Sequence, residues 1–444
     1  MNESIQIKKD IEPARIYGKH AHIQRYKKIS MFLIAVGAFI FFLVHVGIKI
    51  ASPLPLFFLC FGTVTAGALL YFYQQYREAP AGIRHNNLFK TPLMSGGFPG
   101  WIIAIVLTWF YIVLYWFPQF IENWIALCDP LSMAIRNKPA DHWFFYGTLY
   151  TFAILIMGIR MLIKYRHNRY QIIRTSSLMF FQLCFAFLIP AFLVLLNQPE
   201  YYFSYLWPLK YDYLFPAKIH SLFKSGGLGY FMVFWTIAAS FIAVPLLTYL
   251  FGKRWYCSWV CGCGGLAETL GDPFRQLSSK RLRAWQFERY SIHSVLVFVI
   301  VTTLLLWINS LTSGAVLGSF SRSFARTYGF LIGAIWAGVV GVGFYPLMGN
   351  RVWCRFGCPL AAILGIIQKY FSRFRITTNG DQCMSCGNCS TYCEMGIDVR
   401  WYAQRSQNII RASCVGCGIC AAVCPRGVLK LENGTIRERY DFQK

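Results

Sequence analysis

Eight cysteines near the end of the chain form the pattern with the clearest chemistry. They occur as two sets of identical spacing, Cys383, Cys386, Cys389 and Cys393 in "CMSCGNCSTYC" and Cys414, Cys417, Cys420 and Cys424 in "CVGCGICAAVC". The spacing C-x2-C-x2-C-x3-C lets three thiolates of one tight loop bind a [4Fe–4S] cubane. A zinc ion needs only four ligands and rarely uses such a loop, so two iron–sulfur clusters are the favoured interpretation.

The fourth cysteine of each set is expected to serve the cluster of the other set, as in two-cluster ferredoxins. This crossed pattern predicts two ligand sets: Cys383, Cys386, Cys389 with Cys424, and Cys414, Cys417, Cys420 with Cys393. Glu394 follows the first set, where Pro425 follows the second, and this departure is expected to affect potential or packing more than ligation. The stretch "VLKLENGTIR" predicts a hairpin that turns at Asn433–Gly434 and closes the module.

A second cysteine pattern is an internal repeat. "GKRWYCSWVCG" (252–262) and "GNRVWCRFGCP" (349–359) align without gaps, and each follows an apolar stretch. The C-x3-C spacing places both sulfurs on one face of a helix. Two such pairs from equivalent helix ends predict a further metal centre, with the ligands Cys257, Cys261, Cys354 and Cys358. The alternative is four packing or labile thiols. Cys263, which only the first copy has, is a substitute ligand, a redox thiol or a bystander.

The composition indicates what positions these cysteines. Of 444 residues, 56% are hydrophobic and 18% aromatic, and the mean hydropathy is +0.44. These values predict an integral membrane protein. A spanning helix needs about 20 apolar residues. Eight stretches qualify: 29–50, 53–73, 101–121, 143–163, 177–197, 230–250, 291–311 and 328–348. The first lies too far from Met1 for a cleaved signal peptide.

The basic charge gives an orientation. The net charge is +25, and most Lys and Arg lie in the N-terminal segment, in alternate loops and in the tail. The positive-inside rule then predicts that both termini and the clusters are cytoplasmic, in a bacterial inner membrane. No nucleic-acid-reading motif accompanies the charge, so nucleic-acid binding is not expected. The spans contain few acidic residues, which argues against a carboxylate proton relay. His45 and His293 lie at different depths and do not form a haem pair.

The predicted fold is therefore an all-α polytopic membrane protein of about eight transmembrane helices with a small α+β two-cluster ferredoxin-like cytoplasmic domain. Its predicted parts are a cytoplasmic N-terminal segment (1–28), six transmembrane helices (29–250), a cytoplasmic loop with the first CxxxC motif (251–290), two transmembrane helices (291–348), the CxxxCP motif and a connector (349–380), and the two-[4Fe–4S] domain (381–444). The aromatic stretch 198–229 is expected to form an interfacial belt, with a quinone-lining or partner-docking role as the alternative.

Over roughly 230–433, with two spans that each end in CxxxC followed by a two-cluster module, the chain resembles membrane polyferredoxins of the NosR/NapH type and the related cytochrome oxidase accessory protein CcoG. The resemblance implies electron transfer between the quinone pool and an unidentified redox partner protein, as in a quinol dehydrogenase-type component, with quinone or quinol as substrate and membrane lipid as surroundings. The alternative is an accessory factor in metalloenzyme maturation, for example one that reduces copper with the same clusters.

Overall fold

The protein is described by a computed structural model for residues 25–47, 53–76 and 96–434. Within these ranges, eight helices are long and apolar enough to cross a membrane: α1 (Arg25–His45), α2 (Pro53–Tyr76), α3 (Phe98–Trp116), α4 (His142–Lys164), α5 (Arg169–Leu195), α6 (Gly227–Phe251), α7 (Leu282–Leu311) and α8 (Phe320–Gly343). The prediction of an all-α polytopic fold with eight spans is confirmed. Much of the N-terminal segment, residues 1–24, lies outside the described ranges.

The spans are helical because a backbone in lipid must satisfy its hydrogen bonds internally. Their outward faces carry large apolar side chains such as Phe98, Ile105 and Phe241, which are more than half exposed on the protein surface and suit a lipid surrounding. Three spans contain a π-helical segment, Phe181–Leu188 in α5, Ala239–Ala243 in α6 and Gly329–Val340 in α8. Such segments are rare and concentrate at functional sites.

Shorter helices lie in the connections and in the C-terminal module. Their bounds are Pro118–Ile121, Glu122–Leu127, Asp129–Arg136, Tyr211–Leu214, Pro216–Lys224, Arg254–Cys257, Gly262–Thr269, Asp272–Leu277, Tyr345–Met348, Val352–Phe356, Pro359–Tyr370, Gly380–Gln382, Asn388–Thr391, Val399–Ala403 and Ile419–Ala422. Pro359–Tyr370 packs against α6 and α7 and so joins the membrane part to the module.

The aromatic connection between α5 and α6 does not form the predicted interfacial belt. Tyr201 and Tyr213 are almost completely buried, and their rings stack 4.5 Å apart. Tyr201 donates a hydrogen bond to the carbonyl of Met232 in α6, and Trp307 of α7 donates one to the carbonyl of Leu214. The connection therefore folds into the bundle as part of its core, where the hydroxyl of Tyr201 and the carbonyl of Leu214 find hydrogen-bond partners.

The module is closed by a two-stranded antiparallel sheet of β1 (Phe374–Thr378) and β2 (Leu429–Asn433), in which Ile376 lies opposite Leu431. The predicted hairpin at Asn433–Gly434 is only partly described, since residues beyond 434 lie outside the described ranges. The described partner of β2 is β1, so the sheet ties the start of the module to its end. The module accordingly begins at Phe374, ahead of the predicted boundary at 381.

Candidate iron–sulfur centres and the cavity beside them

The structure brings the first predicted ligand set together. Its four cysteines, Cys383, Cys386, Cys389 and Cys424, line one cavity of about 370 Å³ in the module. Gly387 and Gly418, at equivalent places in the two motifs, have φ values of 79° and 73°. This left-handed conformation, which glycine adopts at little cost, turns each cysteine loop back on itself. The arrangement fits a cubane with one ligand contributed by the other motif.

The second predicted set lies deeper. Burial raises the pKa of the Cys420 thiol well above its ordinary value, and the neighbouring Cys417, Cys414 and Cys393 raise it further. The backbone N–H of Ile397 donates to the Cys393 sulfur at 3.4 Å. Buried thiols that raise one another's pKa are held close together, and a bound metal cluster would relieve their repulsion because it takes thiolates as ligands.

The two CxxxC loops share one local design, which differs from the predicted helical face. The first cysteine of each pair lies in a short helix, Arg254–Cys257 or Val352–Phe356. The second is extended and immediately precedes the next helix, Gly262–Thr269 or Pro359–Tyr370. The first helix therefore ends between the two cysteines of each pair, and a new helix begins directly after the second cysteine. Each second sulfur instead lies at a helix N-terminus, where free N–H groups favour an anion; the N–H of Ala361 reaches the Cys358 sulfur at 3.4 Å.

All four CxxxC cysteines are buried in one core cluster. Burial raises the pKa of Cys354 to about 11; the Arg351 guanidinium lowers it, and the thiols of Cys257 and Cys261 raise it. The Nη1 of Arg351 lies 3.7 Å from the Cys354 sulfur and 3.2 Å from the carbonyl of Cys257. The structure thus brings both pairs to one place and puts a buried cation beside them.

A buried ionic network links these loops to the module. Glu394, the residue that departs from the expected proline, accepts from Arg275 at 3.0 Å and from Arg351 at 3.0 Å. Asn350 donates to it at 3.2 Å. The Nη1 of Arg275 lies 3.9 Å from the sulfur of Cys417. One carboxylate therefore bridges two arginines, each of which touches a cysteine of a different candidate centre.

Further ion pairs extend this network toward α4 and α5. Glu268 pairs with Arg174 and Arg351, and Asp272 pairs with Arg160, Lys164 and Arg275 at 2.8 to 3.2 Å. Burial alone would raise the pKa of Glu394, but its arginine partners outweigh burial and lower it to about 2. The carboxylate is charged at neutral pH. The Nε of Arg351 and Nη2 of Arg275 have no hydrogen-bond partner among the described residues, so both donors are available to an anionic cluster.

The two arginines at equivalent positions of the repeat, Arg254 and Arg351, make different contacts. Arg351 is buried in the network, whereas Arg254 donates to Asn433 at 3.2 Å and lies 4.7 Å over the ring of Phe374. The repeat is therefore symmetrical in its cysteines and asymmetrical in its charges. Sequence reasoning missed Glu268 and Asp272, whose only signal was an acidic residue within an otherwise basic loop.

A cavity of about 520 Å³ opens beside the CxxxC loops. Its lining includes Tyr115 of α3, Tyr146 and Tyr150 of α4, Cys263 and Arg351. Gly262 lies against Tyr150, which is about 21 Å along α4 from Lys164 at 1.5 Å per residue. The loop therefore reaches deep among the spans, and Cys263 faces the cavity beside Cys261.

The remaining sulfurs and histidines stay outside this site. Each of the 16 cysteines is a free thiol. Within residues 25–47, 53–76 and 96–434, no three His, Cys, Asp or Glu side chains meet at the distances that one metal ion needs. Cys60 and Cys128 are buried in a separate core around α2. His45 packs on Trp124, and His293 contacts the carbonyl of Arg289.

Comparison with known families agrees with this geometry. A 4Fe-4S binding domain matches residues 233–283 and again residues 328–378, so each match covers the end of a membrane helix and one CxxxC loop. A 4Fe-4S dicluster domain matches residues 382–429. The chain contains 4Fe–4S domains and is similar to membrane polyferredoxins of the NosR/NapH type. The resemblance inferred from the cysteine motifs is thereby confirmed.

Curated relatives each match about a third of this chain. YccM of Escherichia coli K12 is 25% identical over 37% of this chain and 46% of its own length. The methylamine utilization ferredoxin-type protein MauN of Paracoccus denitrificans is 27% identical over 36% of this chain and 56% of its own. The regulatory protein NosR of Stutzerimonas stutzeri is 25% identical over 35% and 21%. The chain spans less than two thirds of each of these relatives. No solved structure matches it.

Proposed function

We propose that this protein relays electrons between a membrane quinone and a redox partner protein. Two [4Fe–4S] clusters would be held by the module cysteines in the crossed pattern, and a third centre by Cys257, Cys261, Cys354 and Cys358. When bound, these clusters supply one-electron oxidation and reduction. The observation that carries the proposal is the continuity of the site: Arg351 lines the cavity, touches Cys354 and pairs with Glu394.

The cavity suits a quinone head group. Its lining is mostly apolar with a few polar groups, as is usual for small-molecule sites. Trp353 and Tyr345 offer aromatic surface, and Asn350, Arg351 and the tyrosines offer donors for quinone oxygens. The cavity opens between α3, α4 and α8, so a lipid-soluble substrate could enter from the membrane.

The ionic network holds the module against the CxxxC loops. Besides Glu394, the module is bound by Gln171 of α5, which donates to the carbonyl of Cys417 at 2.8 Å, and by Tyr170, which donates to the carbonyl of Gly416 at 2.7 Å. Ser258 of the first loop donates to the carbonyl of Val415 at 3.0 Å. These contacts fix the second cysteine motif beside the membrane part and exclude water from the gap. Orientation follows the basic loops, which favour a cytoplasmic module in the bacterial inner membrane.

The relay is tested by adding a menaquinone analogue to anaerobically purified, dithionite-reduced protein and following cluster absorbance. We expect saturable oxidation that a quinone-site inhibitor blocks. Tyr150→Phe should weaken it, whereas Tyr249→Phe on the exposed surface of α6 should not. Oxidation that shows no saturation and ignores the inhibitor would refute the quinone site.

The third centre is tested by counting iron and sulfide. Two cubanes supply about eight iron atoms per chain, so a higher count in the wild type that falls to this value in Cys354→Ala is expected. A count of about eight in both proteins would show that the CxxxC centre is not iron–sulfur.

The accessory-factor alternative is favoured by one observation. The neighbouring Cys263 raises the pKa of the Cys261 thiol and faces the cavity, so two soft thiol ligands of the kind that Cu(I) prefers lie near one another. Stoichiometric Cu(I) binding that Cys263→Ser abolishes, together with copper(II) reduction and no quinone turnover, would replace the relay with this function.

A further inference from the structure

Two segments enter the helix bundle from opposite ends and meet beside the cavity. The first CxxxC loop comes from the module end, and the connection 196–226 comes from the other end. They touch at Gly262, where an added Cβ would lie 2.9 Å from the Tyr205 hydroxyl and 2.9 Å from the Oε1 of Gln182. The contact lies beside Tyr150, whose ring is 3.6 Å from the same point.

Polar groups with unused hydrogen-bonding capacity surround this contact. Gln182 lies in the π-helical segment of α5, is 4% exposed and donates to Thr151 at 3.0 Å. Its Oε1 has no hydrogen-bond partner among the described residues, and neither has the hydroxyl of Ser204, which is 6% exposed. An unpaired buried acceptor is costly in a dry core. The free Oε1 of Gln182 therefore indicates a position that water or a moving proton uses.

From Tyr205 the polar groups continue to the surface opposite the module. The rings of Tyr202 and Tyr205 stack 5.4 Å apart, and the hydroxyl of Tyr202 donates to Glu200 in a short hydrogen bond. Tyr202, Glu200 and Asp141 line a second cavity of about 360 Å³. Glu200 and Lys138 also line an open basin at the surface. A series of polar groups, Glu200, Tyr202 and Tyr205, thus runs from the aqueous surface inward to the cavity beside the CxxxC loops.

We propose that this tyrosine path carries protons from a quinol in the cavity to the face opposite the module. The inference rests on the proposed function. Oxidation of one quinol breaks two O–H bonds and gives quinone, two electrons and two protons; the electrons go to the oxidised iron–sulfur centres of the relay. The protons pass by way of Tyr150, Gln182, Tyr205 and Tyr202 to Glu200, which delivers them to water.

The charge distribution favours this direction. At the module end the cavity is bounded by the Arg351 guanidinium and the cationic network behind it, and a buried fixed cation opposes proton passage. At the other end the path finishes at Glu200, with Asp141 nearby and paired to Arg136 at 2.8 Å. The scarcity of carboxylates in the spans is compatible with such a path, because tyrosine hydroxyls both donate and accept.

The experiment uses the full chain in liposomes with a pH dye trapped inside. Vesicles with the module outward are identified by cluster reduction with dithionite, which does not cross the membrane. After reoxidation, a menaquinol analogue is added. Cluster reduction is followed by absorbance, and proton release by the dye, in the same single turnover. Lumen acidification with a rate matching cluster reduction is expected for the wild type.

Tyr205→Phe and Glu200→Gln are expected to slow lumen acidification about 100-fold, the lower end of general acid–base effects. The matched controls are Tyr211→Phe in the same connection, whose hydroxyl contacts α8 near Gly329, and the exposed Glu122→Gln; both should behave as wild type. Normal cluster reduction with protons appearing outside, or unchanged acidification in both path variants, would overturn the proton path alone. Absence of cluster reduction by quinol in the wild type, with menaquinone still oxidising the reduced clusters, would overturn the proton path in the quinol-oxidising direction. Absence of both reactions would instead refute the relay.

Discussion

Replacing Glu394 tests whether the buried network holds the module in place. The carboxylate lies 3.0 Å from Arg275 and 3.0 Å from Arg351, and each pair is worth about 5 kcal/mol of Coulomb attraction at an effective dielectric constant of about 20. Desolvation offsets much of this energy. Loss of one partner that strands a buried charge costs about 3–5 kcal/mol. Glu394→Gln should therefore weaken docking of the module by about this amount.

The assay is hydrogen–deuterium exchange of the segment 393–399 in detergent-solubilised holoprotein. A loss of about 3 kcal/mol makes exchange through undocking about 100-fold faster, since 1.4 kcal/mol is a factor of ten. Glu394→Pro, which restores the residue found at the equivalent position 425, should lose as much, because proline cannot pair with an arginine. The exposed Glu432→Gln is the matched control. Exchange within about threefold of wild type in both Glu394 variants would refute the docking role, since a threefold change is less than 1 kcal/mol.

Three other perturbations follow from the structure. Burial alone would raise the pKa of Asp272, but its three cationic partners outweigh burial and hold it far below its usual value; its stabilising contribution should be full above about pH 4 and lost as the pH falls further. The melting temperature of Asp272→Asn should therefore be lower than that of the wild type at pH 7, and it should not show this loss at acid pH. If the melting temperatures of the two proteins changed in parallel with pH, Asp272 would not be the group responsible. Gly262→Ala should lose about 1–3 kcal/mol of stability through overpacking and impair oxidation of the clusters by the menaquinone analogue, whereas Gly227→Ala, with open space around its Cβ, should be silent in both assays. Because Cys386 is exposed and Cys420 buried, an iron chelator should remove the outer cluster first, as a loss of half the module's iron in a distinct fast phase; a single phase would contradict this order.

Local sequence patterns predicted the membrane helices and cysteine motifs well, but they predicted the tertiary contacts between these segments poorly. Hydropathy was sufficient for the eight spans, because crossing a lipid layer requires a long apolar helix whatever its neighbours are. The spacing of the first motif also predicted that Cys424 joins it, since that spacing limits how the loop wraps a cluster. Cys383, Cys386, Cys389 and Cys424 line one cavity, and iron analysis tests whether they are ligands.

The long-range contacts lay beyond reach of the sequence. No feature of the sequence near Glu394 predicts that it pairs with Arg275, more than a hundred positions earlier. The glutamate in place of the expected proline indicated only that this position differs from its counterpart at 425. The connection around Tyr205 shows the opposite error. Its aromatic composition suits both an interfacial belt and a buried core, and only packing against α6 and α7 decides between them. All four CxxxC cysteines are buried in one core cluster, and their role as one metal centre stays a prediction. The end of the helix before Cys261 and Cys358 was not evident from i, i+4 spacing.

The ionic network also bears on how the protein is assembled. Five cations meet three carboxylates in it: Arg160, Lys164, Arg174, Arg275 and Arg351 against Glu268, Asp272 and Glu394. Among the described residues, the Nε of Arg351 and the Nη2 of Arg275 have no hydrogen-bond partner, and a buried donor of a charged group that stays unpaired is costly. Thiolate-ligated clusters beside Arg351 and Arg275 would supply negative charge to these donors. Docking of the module and insertion of its clusters are therefore expected to be one coupled event in biogenesis, so that a chain starved of iron keeps its spans in the membrane while its module remains undocked and open to proteases.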